Sequence, residues 1–452
     1  MRPTELRHRG ANVSRIDRRG RADTVRTTPF FTVLIAIMMA LASLPMGIGS
    51  AAATRSDAES SGSLVSSIVI LADGADPAAA ARAMGVRPTH IYRYVFTGFA
   101  AELPAATLTT ARNRSDVRRI DPDGEVTVQG TPGGREGSSQ ADHEVPSTGF
   151  TRIGTPTSAE QQDFDGTDVA VIDTGVAKHP DLNVAGGHSC ITIKTKKGTR
   201  KMSPFKDGYG HGTHVAGIIG AQDNLAFTIG VAPNVRIWAV KVFKDTGSGR
   251  WSDVVCGLDW VARHADTIDA VNMSLGGPGR KGPDCDSSGL RRAVCTLVND
   301  HGIPVVVAAS NESSDASGYI PAAYPEAIVV SAFGDTNGEI RPETDEYCDG
   351  NQDDHFADVS NFGQSIDISA PGVCIESLWP EDRTKSLTGT SMAAPHVTGA
   401  IARFLNANPD ATEAEVENWL QSDEASRPQS SDEGFIGDPD AFPERVLYIA
   451  DM

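Results

Sequence analysis

From about residue 145 onward, short apolar runs alternate with helical stretches, and this alternation limits what the chain can fold into more than any other feature. Segments 169–172, 235–242, 270–275, 303–309 and 327–332 are dominated by apolar residues and lack the strict apolar–polar alternation of a half-exposed strand. Between them, 211–220, 253–265 and 289–300 read as helices. Strands buried on both faces and joined by helices make a parallel α/β sheet. Ligands of such sheets bind where strands deliver their carboxyl ends. Asp173 follows one such end, Ser274-Leu275-Gly276-Gly277 another and Asn311 a third.

A smaller unit precedes this region. Strands are expected at 64–71, 90–95, 99–103 and 126–128, with helices at 76–84 and 104–114. That order, strand-helix-strand-strand-helix-strand, is ferredoxin-like α+β. Residues 130–144, dense in Gly, Ser and charge, read as a linker. At the amino end, eight arginines within residues 1–29 face three acidic residues, and 30–44 is uncharged and mostly apolar. Small residues then run to Ala51-Ala52-Ala53, so 1–53 has the pattern of a signal peptide. A retained membrane anchor is the alternative, although the apolar run is shorter than the ~20 residues a span needs.

The net charge of −19 excludes a nucleic-acid partner, which needs a basic surface. All six cysteines (Cys190, Cys256, Cys285, Cys295, Cys348 and Cys374) lie in the large region, with no Cys-x-x-Cys pair. In an exported protein this favours disulfides over metal ligation.

The chemistry centres on Gly389-Thr390-Ser391-Met392-Ala393-Ala394-Pro395-His396, a tight turn running into a helix. A serine hydroxyl attacks only with a base in hydrogen-bond reach and donors for the oxyanion. The first turn of a helix has unpaired N–H groups and the positive end of the dipole. Asp173, in Val-Ile-Asp-Thr-Gly-Val, ends a buried strand and needs a partner there. His211, in Gly-His-Gly-Thr-His-Val-Ala-Gly, opens a helix. The three residue types suit a carboxylate that orients an imidazole, an imidazole that takes a proton, and a hydroxyl that attacks a carbonyl. Two other readings exist: Asp-Thr-Gly also marks aspartic proteases, which need two copies where this chain has one, and His211 with His214 forms a helical metal-ligand pair lacking a third ligand.

In this order, the motifs at Asp173, His211 and Ser391 closely resemble those of the subtilisin-like serine peptidases, over 145–407. The resemblance implies an α/β fold, a seven-stranded parallel sheet with helices on both faces, over a catalytic domain taken as 145–452. It implies endopeptidase activity with no cofactor for the chemistry, and an oxyanion hole to which Asn311 contributes. Losing such a donor costs ~100- to 1000-fold in turnover, a figure taken over from subtilisin. Ser274, Leu275, Gly276 and Gly277 would form the wall for extended substrate, with Glu312 at the rim of the primary pocket. Ser310 departs from the Gly usual in the family before the oxyanion Asn, which puts the primary specificity in doubt.

The unit over 54–129 resembles the family's inhibitory propeptide, including Gly98-Phe99-Ala100-Ala101-Glu102-Leu103. It would leave its last strand in the cleft, with self-cleavage between 128 and 142. Asp181 and Asn224 match positions that line a calcium site in relatives, and the acidic stretch 343–358 is a second candidate. Of fifteen pairings of the cysteines, the expected set is Cys285–Cys295, Cys348–Cys374 and Cys190–Cys256. The sequence therefore predicts a secreted serine endopeptidase made as a zymogen. Its partners would be polypeptide substrates and its own propeptide, with a membrane only if the amino-terminal segment is retained. The alternatives are a catalytically silent binding protein of the same fold and a membrane-tethered processing protease facing outside. Histidine's ordinary pKa predicts activity falling below about pH 6 to 7.

Overall fold

Strand Asp168–Asp173 is buried along its whole length because both its faces are covered. Val169 and Val171 join an apolar cluster with side chains of helices His211–Gly220 and Thr390–Ala407. Ala170 and Ile172 join a second, with helices Trp251–Arg263 and Gly289–Cys295. The computed structural model describes residues 63–128, 144–156, 163–195, 198–340, 347–348 and 350–452. The expected signal segment, and the linker apart from Glu144, lie outside the described residues.

The main sheet runs, in spatial order, through Val184–Ser189, Arg236–Lys241, Asp168–Asp173, Ala270–Met273, Val305–Ala308, Ile328–Phe333, Ile368–Pro371, Arg445–Leu447 and Ser426–Pro428. Every neighbouring pair is parallel except the last. The expected seven strands are thus nine. The two extra strands are three residues each and come from the carboxyl-terminal tail, too short to show a hydrophobic period.

The first unit is a four-stranded antiparallel sheet in the order His90–Tyr92, Gly98–Pro104, Leu64–Leu71, Val117–Pro122, with two helices, Pro77–Ala83 and Ala105–Arg112. This is the ferredoxin-like arrangement, with one correction. Its fourth strand is Val117–Pro122, not 126–128. Val-Arg-Arg-Ile-Asp-Pro carries too much charge to read as a strand, yet Ile120 packs inward against the unit's own core. Strand Glu125–Val128 leaves that sheet and lies between Ser248–Arg250 and Leu275–Pro278, antiparallel to both.

All three expected disulfides are present, Cys190–Cys256, Cys285–Cys295 and Cys348–Cys374. No helix among the described residues is long and apolar enough to cross a membrane.

Candidate active site

Asp173 is the last residue of strand Asp168–Asp173, and Ser274 and Asn311 follow the carboxyl ends of the next two strands of the main sheet, Ala270–Met273 and Val305–Ala308. Adjacent strands lie about 4.8 Å apart, so polar groups at these ends share one edge. His211 and Ser391 reach it from the starts of two helices that pack on each other.

His211 Nδ1 stands 2.9 Å from both Asp173 carboxylate oxygens. An ionised carboxylate accepts only, so Nδ1 carries the proton and Nε2 is left as the basic nitrogen. The Thr174 N–H also donates to Asp173 Oδ1, at 2.6 Å. Both side chains are almost fully buried, so the pair interacts in a poor solvent, where charge-assisted hydrogen bonds gain strength. The helix of His211 is anchored by Asp207, whose carboxylate accepts the Gly210 and Thr213 N–H groups at 2.7 and 2.9 Å and the Thr213 hydroxyl at 2.7 Å. Asp207 thus serves as the cap that Gly210, with no side chain and a φ of 101°, does not supply. Lys241, fully buried on the strand beside Asp173, donates to the Thr174 carbonyl and pairs with Asp245 at 3.1 Å.

Ser391 is buried in the first turn of helix Thr390–Ala407. Its hydroxyl donates to the Ser274 carbonyl at 3.3 Å, and its own carbonyl accepts the Ser274 hydroxyl at 2.9 Å. Asn272 donates to that Ser274 hydroxyl at 2.9 Å, and Thr398 donates to Asn272 Oδ1 at 2.9 Å. A buried polar chain therefore ties the serine's helix to the strand end. Asn311 Oδ1 accepts the Thr390 N–H at 2.9 Å and the Thr390 hydroxyl at 3.0 Å. That fixes the amide so that Nδ2, buried and without a partner among the described residues, stands near Gly389. A buried donor without an acceptor is costly, and here it stands beside the expected nucleophile.

The cleft is already filled by this chain. Val128 lies opposite Leu275 and Thr127 opposite Gly276 on one side, and Thr127 opposite Ser248 on the other. Val128 N–H donates to the Gly247 carbonyl at 3.1 Å. Val126 and Val128 point into the larger unit, where Trp251 and Leu275 belong to the same apolar cluster. The Ser248–Arg250 wall had no signal in the sequence, because Gly-Ser-Gly-Arg reads as a loop. Gly277 pairs with Ile320 rather than with the tail. The first unit also grips the larger one by its carboxylates: Asp123 accepts the Ser252 N–H at 2.9 Å and the Ser252 hydroxyl at 2.8 Å, and Asp121 accepts the Gly289 N–H at 2.7 Å. These donors lie at the first turns of two helices, where a negative charge is favoured.

Ser310 sits at φ 81°, a left-handed conformation that favours glycine, with its hydroxyl buried and unpartnered among the described residues. A Cβ on Gly276 would meet that hydroxyl at 2.5 Å. Glu312 is exposed on one side and accepts from Asn361 Nδ2 at 3.3 Å, while Asn361 Oδ1 accepts the Glu312 N–H at 2.9 Å. The His211–His214 metal pair is not formed: His214 Nε2 lies 3.0 and 2.8 Å from the Ile375 and Lys385 carbonyls, to which it donates.

Away from the cleft, Asp181 Oδ1 accepts from Asn224 Nδ2 at 2.7 Å, and Glu144 accepts the Asn224 and Leu225 N–H groups at 3.0 and 3.2 Å. Asp181 is 1% exposed, and its Oδ2 has no partner among the described residues. Burial pushes its carboxyl up to about 8. A buried carboxylate with a spare oxygen and a second acid beside it suits a hard cation.

Residues 165–435 match the Subtilase family and residues 47–129 the Peptidase inhibitor I9 family. Subtilisin NAT of Bacillus subtilis subsp. natto is 39% identical over 281 residues, covering 61% of this chain and 65% of that relative. The chain therefore spans a little under two thirds of that relative's length. Subtilisin of Bacillus pumilus is also 39% identical over 281 residues, with 90% of its length covered. A solved structure described as a cold adapted subtilisin-like serine proteinase aligns with a TM-score of 0.52 at 30% identity, over 68% of this chain and 98% of the other.

Proposed function

Because the chain belongs to the Subtilase family, we propose that it is an exported serine endopeptidase, made as a zymogen that cleaves itself. The observation that carries this reading is strand Glu125–Val128, bound in extended form against Leu275–Pro278 on the edge where Ser391 meets Ser274. A peptide added as a strand presents its backbone in fixed register, which is how endopeptidases read sequence-diverse substrates.

In this mechanism the Ser391 hydroxyl attacks the scissile carbonyl carbon and gives its proton to His211 Nε2. Asp173 holds the imidazole through Nδ1–H and stabilises the imidazolium. The carbonyl oxygen, now negative, is met by Asn311 Nδ2 and the Ser391 backbone N–H. The C–N bond breaks as His211 returns the proton to the leaving amine. Water then takes the alcohol's place, and the acyl-enzyme ester is hydrolysed with His211 again as base.

The register of the bound strand supports a cut shortly after Val128. Val128, the last described residue of this strand, lies opposite Leu275, and Ser274, which accepts from the Ser391 hydroxyl, is the next residue along the wall. We therefore assign the cut to the bond between Gln129 and Gly130, two residues outside the described part of the chain, within the expected window. Three disulfides support an oxidising destination, and hence export. Asp181 Oδ2, with Asn224 and Glu144 close by, supports a structural calcium ion that takes no part in the chemistry.

The test is to express the wild type and Ser391→Ala without any other protease and follow the chain by mass spectrometry. The wild type should yield a fragment beginning at Gly130, and Ser391→Ala should stay intact. Processing of Ser391→Ala at the wild-type rate would reject self-cleavage.

A further inference from the structure

Where the first unit meets helix Trp251–Arg263 and the hairpin of strands Thr192–Thr195 and Gly198–Lys201, a cavity of about 400 Å³ is left between them. The loop that follows strand His90–Tyr92 is fixed there by its backbone: Asp259 Oδ1 accepts the N–H groups of Arg93, Tyr94 and Val95 at 2.9, 2.7 and 3.1 Å. Arg93 lines the cavity from the first unit, and Lys201 and Arg263 line it from the larger one. Arg263 Cζ lies 5.8 Å from the centre of the Tyr94 ring, so a cation–π contact crosses the seam. Lys201 Nζ donates to His188 Nε2 at 3.0 Å, and the His188 ring stacks on Trp260 at 5.9 Å. Burial, and then the positive neighbours Lys201, His264, His90 and Arg263, push that imidazole down to about 4, so it is neutral at pH 7 and able to accept.

Three cations from three separate elements thus face one space, and none of them has a carboxylate at ion-pair distance among the described residues. The acid in the wall, Asp259, already has Oδ1 occupied by three N–H groups. In sequence the hairpin holds Lys194, Lys196, Lys197, Arg200 and Lys201 with no acidic residue, in a chain whose net charge is −19. Such a local concentration of one sign draws in the opposite sign. We infer that this cavity binds a phosphate-type oxyanion, held by Arg93 of the first unit and by Lys201 and Arg263 of the larger one. Guanidinium forks match phosphate oxygens, and a tetrahedral ion can be met from several sides, whereas a carboxylate suits a single fork. Because both units hold the ion, it binds best while the first unit is in place, and by reciprocity it holds that unit in place. This last step rests on reading the first unit as a removable propeptide; the binding itself does not.

The test is equilibrium dialysis of the full-length Ser391→Ala chain against labelled inorganic phosphate, in chloride at fixed ionic strength. One ion per chain should bind saturably. Arg93→Gln, Lys201→Gln and Arg263→Gln should each weaken binding at least about tenfold, the loss of one charge-assisted hydrogen bond. Arg200→Gln, exposed on the same hairpin but outside the cavity, should not. All four side chains are exposed, so in chloride the variants should melt with the parent, showing that they fold. Tripolyphosphate that displaces the label at far lower concentration than phosphate would identify a phosphate polymer as the source of the group, and equal displacement the free ion; either supports the site. No saturable binding, or equal weakening by Arg200→Gln, would overturn it and leave only a diffuse basic patch.

Discussion

Ser310 lies one residue from the amide that faces the expected oxyanion, yet it carries a side chain at φ 81°. Left-handed backbone costs an L-residue about 1 kcal/mol or more. Its hydroxyl occupies the space beside Gly276 without a partner among the described residues. Ser310→Gly should therefore raise stability by up to about 1 kcal/mol in denaturant titration, partly reduced by glycine's freedom in the unfolded chain. It should also shift the preferred cleaved residue toward larger side chains on a peptide library. An unchanged profile would place Ser310 outside the specificity pocket. At this scale the sequence was informative where a residue's type and its setting were both unusual: Asp173 closing a buried strand, His211 and Ser391 opening helices among glycines and alanines. It was silent on Asp207, Asn272 and Thr398, whose roles depend on hydrogen bonds to distant partners rather than on local pattern.

Helix His211–Gly220 has no capping side chain of its own at Gly210, and Asp207 accepts its first N–H groups instead. Asp207→Ala leaves those buried donors unpaired, which should cost about 2 to 3 kcal/mol, more than an exposed cap would. Because the cap also positions the His211 ring, kcat should fall while KM changes little. A stability loss with kcat intact would limit Asp207 to a structural role. Elements were legible in proportion to their apolar content. The core strands could be read directly, whereas Val117–Pro122 was hidden by its charges and Ser248–Arg250 by its glycines. The element pattern counted strand Glu125–Val128 as the fourth of the small sheet, whereas the family resemblance placed it in the cleft, where it lies. Its alternating pattern gives the strand's period and not its partner, and the partner is set by residues of the larger unit more than a hundred positions away.

For the whole molecule, buried ionisable groups set the response to pH. His214, His396, His179 and His188 are pushed by burial down to between about 3 and about 4, so above pH 6.5 they are neutral whether the chain is folded or not. Asp181 and Glu444 are pushed the other way by burial, to about 8. The unfolded chain has already released those protons by pH 6.5 while the fold still holds them, so without a cation stability falls as pH rises from 6.5 through 8. In chelator the Ser391→Ala protein should lose melting temperature across that interval, and calcium should remove the part due to Asp181 while leaving the part due to the buried Asp335 and Asp367, whose carboxyls burial raises to about 7. A melting temperature that chelator does not move there would rule out structural calcium at Asp181. The central claim is that Asp173, His211 and Ser391 act as one catalytic unit, and covalent labelling tests it most directly. Treated with a fluorophosphonate after propeptide removal, the protein should carry a single adduct on the peptide that contains Ser391, and His211→Ala should label far more slowly. A folded, processed protein that takes no label, or takes it at another serine, would contradict the account.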